Sequence, residues 1–382
     1  DPLYHANRPL VDTRHSGLKA GRSAQGHKLY QNLMRRNVTI FSASHRNVGL
    51  LDEIADAIRN GKQTADHQNM LEAQYRRFPQ AEMDRGIHYS NEMAMTNNWR
   101  TLWKRCKQTD RRLYVAKASY HETESNQLVV DILSSLSSKT YGYAPHLLCL
   151  SIGCEVRLVK NLDVAAGLVN SAVGNVVEVV YDAADAKHLV EGKHPPPYAV
   201  IVEFNDFTGF KDVSDPHPFP NHPKWVPILR EKFTAAYRDI PANVRAMQQG
   251  KDCYRLQFPL DLATHVTAHR AQGATFRNSR IMVDLGLDNP SGKLPMDAGS
   301  IMYVAITRAV SLAYVFVRPI VSSAWEALGK SEEDQVRREE EVALWEWAKD
   351  FAAGHGYLDL VLAEWEWRPA YEGNEQEIGR AS

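Results

Sequence analysis

The sequence predicts an α/β protein: a parallel sheet with flanking helices, an inserted small β-barrel and a helical C-terminal tail. Three observations predict it. Short β-branched or continuously apolar runs alternate with segments of helical spacing on both sides of the middle of the chain, as in a buried parallel sheet. Residues 150–258 carry short β-rich runs broken by Gly, Asn and Pro turns, which fits a small barrel between helical neighbours. Beyond residue 320 the pattern turns charged, helical and Trp-bearing.

Taken in order, residues 1–37 show little periodicity apart from a predicted helix over 25–34. Val38-Thr39-Ile40-Phe41 is a β-rich run and reads as a strand, followed by the loop Ser42-Ala43-Ser44-His45-Arg46-Asn47. Residues 48–60 place Val48, Leu50, Leu51, Ile54, Ala55 and Ile58 at helical spacing, with Gly61 to end the helix. Leu51-Asp52-Glu53 has the letters of a magnesium-binding acid pair. Such a carboxylate would end a strand, whereas the period here is helical, so a solvated helix face is expected.

Residues 99–117 are the most basic stretch, with Trp99, Trp103 and Tyr114 among seven Lys or Arg. That pattern can track phosphates and stack bases, or it can be an exposed helix face with buried Trp anchors. The runs at 176–181 and 198–204 read as strands. The Pro- and His-rich 205–227 reads as a stiffened loop. His217 and His222 lack partner ligands at metal spacing, and no metal site is expected. Strands are expected at 279–285 and 311–317, with a helix at 300–309 between them. Ser331-Glu332-Glu333-Asp334 resembles a capping box opening a helix to about 353. The triplet Trp345-Glu346-Trp347 recurs as Trp365-Glu366-Trp367 and carries no assigned function. Gly329-Lys330-Ser331 lacks the earlier glycine of a phosphate loop, because Ala324 stands there, and no GxxxxGK[ST] occurs anywhere in the chain. These breaks divide the chain at 1–37, 38–149, 150–258, 259–320 and 321–382.

A net charge of -1 supplies no global pull on nucleic acid, so any such site must be local. The four cysteines show no CxxC pairing and read as reduced thiols of an intracellular protein. No apolar run reaches membrane-spanning length and no signal peptide is present, so no membrane partner is expected. The chain starts at Asp1 without Met, which reads as a piece of something longer or a processed form.

Two stretches organise the function: Thr264-His265-Val266-Thr267-Ala268-His269-Arg270-Ala271-Gln272-Gly273-Ala274-Thr275-Phe276, and Met302-Tyr303-Val304-Ala305-Ile306-Thr307-Arg308-Ala309. They resemble motifs V and VI of superfamily 1 helicases, with Arg270 where motif V usually has Lys. Over residues 1–320 the chain resembles the C-terminal half of PIF-type (petite integration frequency) DNA helicases, relatives of the RecD-like group. Ser44-His45-Arg46-Asn47 resembles motif IV, and residues 1–11 a divergent remnant of motif III. Residues 153–163 and 167–174 resemble the family's block opening the inserted barrel, with Ser171 in place of the usual Gly.

The resemblance implies a second RecA-like domain (38–149 with 259–320) holding the barrel (150–258), after the end of a first RecA-like domain (1–37). It implies an ATP-dependent 5′→3′ DNA helicase whose ATP and Mg2+ bind mainly to a first domain absent from this chain. Arg308 would be the arginine finger and Arg46 a second arginine at the γ-phosphate, since a planar guanidinium stays charged and donates two hydrogen bonds. Gln272 and Gly273 would couple to the nucleotide. Thr96, Asn97, Thr267, His269, Lys160 and Asn170 would face DNA. Plain alternatives for His269 and Gly273 are a structural bond and turn geometry. Single-stranded and duplex DNA and the missing first domain are the implied partners, with a nuclear or mitochondrial location if the source is eukaryotic. The alternative is a catalytically inactive nucleic-acid-binding or scaffold protein.

Overall fold

The computed structural model describes residues 47–77, 85–120, 127–183, 185, 195–209, 217–235, 239–248, 253–277, 279–288 and 297–354. The expected helix at 25–34, the expected strand at 38–41, Arg46 and the second Trp-Glu-Trp triplet lie outside these residues. In chain order the elements are α1 (Leu50–Arg59), α2 (Ala65–Arg77), β1 (Arg85–His88), α3 (Asn91–Thr109), β2 (Tyr114–Lys117), α4 (Gln127–Ser135), β3 (Leu147–Leu150), β4 (Glu155–Leu158), β5 (Val173–Val180) and β6 (Ala199–Phe204). There follow β7 (Trp225–Ile228), β8 (Glu231–Thr234), α5 (Ala242–Gln248), β9 (Tyr254–Gln257), β10 (Leu260–Leu262), β11 (His265–Thr267), α6 (Ala268–Ala271), β12 (Ile281–Asp284), α7 (Ala298–Ile306), β13 (Val315–Val317), α8 (Ser322–Ala327) and α9 (Glu332–Gly354). They fall into two compact units, Asp1–Ala94 with Val266–Ser382, and Met95–His265.

The first unit is α/β. Its sheet runs β11-β1-β12-β13. β1 and β12 are parallel with His88 opposite Asp284, and β12 and β13 are parallel with Ile281 opposite Val315. Every residue of β12 and β13 is buried, which is why Ile281–Val283 and Val315–Val317 read as apolar runs. Helix α1 buries Leu51, Ile54, Ala55 and Ile58, an i, i+3, i+4, i+7 stripe. Asp52 and Glu53 therefore sit in the first turn of a helix, not at a strand end. Of the strand expected at 311–317, only Val315–Val317 is extended; Leu312–Tyr314 is a 3-10 turn closed by Tyr314 N–H donating to Ser311 O.

Three glycines let backbones meet at the C-terminal end of α1. A Cβ on Gly329 would stand 2.2 Å from Ile58 O, one on Gly299 would stand 2.4 Å from Gly329 N, and one on Gly61 would stand 2.8 Å from Gly329 O. Gln63 closes this junction, its Nε2 donating to Trp325 O at 2.7 Å and Leu328 O at 2.8 Å. The N-cap half of the capping box is present: Asp334 N–H donates to Ser331 Oγ at 3.1 Å, while the return bond comes from the Ser331 hydroxyl, which donates to Asp334 Oδ2 at 2.8 Å. The start of α9 is tied down as well. Arg337 donates to Arg59 O, where α1 leaves an orphan carbonyl, and Arg59 pairs with Glu341 at 2.8 Å.

The second unit is β-rich. Its main sheet is antiparallel in the order β10-β4-β5-β6-β7, beside two ribbons, β2-β3 and β8-β9. Among the described residues no ladder joins the edge strands β10 and β7, so these strands form an open five-stranded sheet. One apolar core (Val156, Leu158, Val176, Val200, Val202, Phe204, Leu260) packs on the sheet. A second core, with Leu133, Tyr141 and Phe233, surrounds Arg255, which is fully buried. Arg255 donates to Tyr120 Oη at 2.9 Å, Ala144 O at 2.6 Å and Leu136 O at 3.4 Å, and lies 4.1 Å from the centre of the Tyr141 ring. None of the four cysteines forms a disulfide and all are buried, and burial pushes the thiols of Cys149 and Cys154 up to about 12. Cys149 and Cys154 are therefore core material. No helix among the described residues is long and apolar enough to cross a membrane.

Two substitutions test these packing arguments in opposite directions. Gly299→Ala sits within a helix, where Ala normally stabilises; the clash with Gly329 is expected to reverse the sign and cost about 1–3 kcal/mol in denaturant unfolding. Ser171 holds a left-handed φ of 74°. Ser171→Gly is expected to raise unfolding stability by about 1 kcal/mol, and an unchanged midpoint would count against backbone strain there.

Candidate functional site

The first organising stretch begins at β11 and turns through the single-turn helix α6. His265 is buried, its N–H donating to Asn98 Oδ1 at 2.7 Å and its carbonyl accepting from Asn98 Nδ2 at 2.7 Å. Its ring Nε2 lies within hydrogen-bond distance of Thr101 Oγ1, at 2.8 Å. Thr267 is buried at the N-terminal end of α6 and makes no capping bond with its side chain. His269 is half-buried on α6, and Gln272 and Gly273 form the turn after it. Gly273 has φ +84° with nothing within 4 Å of a would-be Cβ, so its left-handed backbone, not crowding, calls for glycine. Gln272 Oε1 is enclosed and accepts no hydrogen bond among the described residues.

The second stretch is the end of α7. Arg308 is only 5% exposed. Its Nε donates to Val304 O at 2.8 Å, Nη1 to Ala274 O at 3.1 Å and Ala271 O at 3.5 Å, and Nη2 to Thr307 Oγ1 at 3.0 Å. Its carbonyl accepts from Phe276 N–H at 2.8 Å. One guanidinium thus braces the turn after α6 against the end of α7. Asn47 approaches the same segment, its Nδ2 donating to Ala309 O at 2.5 Å and Thr307 O at 3.4 Å. Val48 N–H donates to Val310 O at 3.2 Å. The structure therefore brings together Arg308, Gln272, Gly273 and the residue following Arg46, while Arg46 itself lies outside the described residues.

As placed, Arg308 makes charge-assisted bonds to its own chain. Turning its fork toward an outside anion would require giving up bonds worth about 1.5–3 kcal/mol each. Gly329-Lys330-Ser331 is committed elsewhere: Gly329 O accepts from Arg338, and Ser331 Oγ caps α9. No group of three or more His, Cys, Asp or Glu among the described residues is placed to hold a metal ion.

The expected DNA-facing residues are dispersed. Thr96 is exposed on α3 and Asn97 half-buried; the next residue, Asn98, is the buried one that holds His265. Lys160 Nζ is paired with Glu231 and lies 5.5 Å from the Phe233 ring centre. Asn170 is exposed, with its N–H donating to Asn161 Oδ1 at 2.7 Å.

A polar cluster at the C-terminal edge of the parallel strands was not singled out from the sequence. His88 ends β1, Asp284 ends β12, and Arg318 follows β13. Arg318 bridges Asp284 and Asp288, each at 3.0 Å. Burial holds the His88 imidazole down at about 4, with Asp284 opposing that shift and Arg318 adding to it. Ligands of open parallel sheets gather at this edge. The available signal was a polar residue closing each apolar run.

Comparison with known families gives one match: the family profile described as DNA helicase Pif1, 2B domain, over residues 132–179. That span includes β4 and all but the last residue of β5, and the resemblance to PIF-type helicases stands on it independently of the motifs in the first unit. No curated protein matches the chain. Among solved structures it is similar to the Pif1 helicase of Candida albicans (19% identity, TM-score 0.48, 77% of this chain and 57% of that one). It is also similar to Bacteroides Pif1 bound to ssDNA (15%, 0.45, 79% and 60%) and to Bacteroides Pif1 in complex with ADP-AlF3 and ssDNA (16%, 0.44, 81% and 64%). The chain thus spans less than two thirds of the length of each of these structures.

The buried imidazole makes a pH prediction. With a folded pKa of about 4 against an ordinary 6.5, the unfolded chain takes up the proton first. The stabilisation is complete above pH 6.5 and is lost as pH falls through 4, by up to about 3 kcal/mol. Urea midpoints at pH 7 and 4.5 should show His88→Gln flattening this dependence.

Proposed function

We propose that this chain is the C-terminal motor portion of an ATP-dependent DNA helicase of the Pif1 type, moving 5′→3′ on single-stranded DNA. The observation that carries the reading is the joining of the two motif-like stretches: Arg308, from the end of α7, donates to the carbonyls of Ala271 and Ala274 on either side of Gln272-Gly273. A change in the environment of Arg308 would reach the turn that carries the candidate coupling residues. The direction of movement comes from the family resemblance. Residues 150–258 of the β-rich unit are the inserted 2B module, built on an open five-stranded sheet rather than the small barrel expected.

ATP and Mg2+ belong chiefly to a nucleotide-binding module, joined or separate, that carries the phosphate loop this sequence lacks. ATP supplies a phosphoryl group whose developing charge needs cations beside it. In this reading Arg308 and Arg46 are those cations, and Arg308 changes partners when the nucleotide is present. His269, half-buried on α6, is the DNA-facing candidate of the first unit, and Thr96, exposed on α3, is that of the second.

One observation favours the second reading, a nucleic-acid-binding or scaffold protein without turnover. Arg308 already spends its donors within the chain, as a purely structural arginine would.

Two measurements separate the readings. This chain alone is expected to show no DNA-stimulated ATP hydrolysis; turnover at the level of a complete helicase, abolished by Arg308→Ala, would overturn the split of the site. With a nucleotide-binding module of the same family supplied, Arg308→Lys is expected to cut kcat by about 10³-fold while leaving the affinity for single-stranded DNA within a few-fold. A loss of thermal midpoint with unchanged turnover would instead make Arg308 structural.

A further inference from the structure

Helix α3 has two faces with opposite tasks. Ala94, Asn98, Leu102 and Cys106, four apart in sequence, are buried. On the other side, Thr96, Arg100, Trp103 and Lys107 follow at i, i+4, i+7 and i+11, so they form one stripe about 16 Å long, with Lys104 beside it. Arg100, Lys104 and Lys107 are exposed. Trp103 is 51% exposed, and Lys107 Nζ stands 5.1 Å from its ring centre. Among the described residues none of Arg100, Lys104 and Lys107 is paired with a carboxylate.

Leaving half a tryptophan in water forgoes the transfer energy of a large apolar surface. The nearby Trp99 shows the ordinary alternative, since it packs against the core of its unit. The local charge is just as uneven. Residues 99–117 hold seven Lys or Arg against Asp110 alone, in a chain whose net charge is -1. A flat aromatic ring flanked by cations with no carboxylate partner among the described residues complements a polyanion whose bases are free to stack. Duplex bases are already stacked on each other, so the fit is to a single strand.

We propose that the Arg100–Trp103–Lys104–Lys107 stripe of α3 is a stacking platform for single-stranded nucleic acid. A base lies on the Trp103 indole, and the three cations hold the phosphates on either side. The platform lies within the second unit and uses none of the residues of the two helicase-like stretches. Loss of binding in Trp103→Ala tests the platform, whereas the Arg308 turnover measurement tests the motor reading.

The test is fluorescence anisotropy of labelled dT20, rU20 and a blunt hairpin duplex with the full chain, without nucleotide, over a range of salt. Wild type is expected to prefer the single strands to the hairpin, with dT20 and rU20 telling whether the sugar matters. Trp103→Ala is expected to weaken single-strand binding about ten- to a hundredfold and Trp103→Phe much less. Lys104→Gln and Lys107→Gln should each reduce the slope of log affinity against log salt by about 0.7. Trp103 is exposed, so the thermal midpoint of Trp103→Ala should match wild type. Absence of oligonucleotide binding, equal affinity for the hairpin, or full affinity in Trp103→Ala would each overturn the proposal.

Discussion

A buried guanidinium must satisfy its donors, and the first unit is arranged around that requirement at Arg308. The carbonyls it uses come from the last turn of α7 and from both sides of the turn after α6, which lie more than thirty positions apart in sequence. Both segments must reach their final geometry before the charge can be buried without loss. Asn47 adds a third strand of chain to the same place through the carbonyls of Thr307 and Ala309. The parallel strands beneath supply the rigid base. A segment of one turn such as α6 has no stability of its own and takes its shape from these contacts.

The second unit solves the same problem differently. Arg255 is buried deeper than Arg308, with a hydroxyl, two carbonyls and the face of Tyr141 around it. Its partners stay within one core, so its effect is to hold together Tyr120, Tyr141 and Ala144. Arg308 joins segments that carry candidate chemistry; Arg255 joins segments that carry only packing. Burial of an arginine is therefore uninformative about function until its partners are known.

Charge on this protein is local in effect. A nearly neutral chain exerts little long-range pull, but α3 concentrates cations on a single exposed face, where a Debye length of about 8 Å at physiological salt still lets them act together. The sequence left two readings of 99–117 open, bases stacked on aromatics or buried Trp anchors. The structure separates the two rings: Trp99 packs inward as an anchor, and Trp103 is half exposed. The spacing allowed either, because only the position of the core fixes which side of a helix is the inside.

Local rules were legible where local physics decides. The α1 stripe, the capping box at Ser331, the helical setting of Asp52-Glu53 and the emptiness of Gly329-Lys330-Ser331 as a phosphate loop follow from period, cap chemistry and missing glycines. So does the turn at Gly273, where a positive φ needs glycine whatever surrounds it. What sequence could not decide is everything set by distant neighbours. That Arg308 would point inward, that Lys160 would meet Glu231, that His88 would stand beside Asp284 at a sheet edge, and that Gly329 would face Ile58 all depend on segments dozens to hundreds of residues apart. An arginine carries the same letter whether its donors meet water, a phosphate or a carbonyl, and only the folded chain places the carbonyl there.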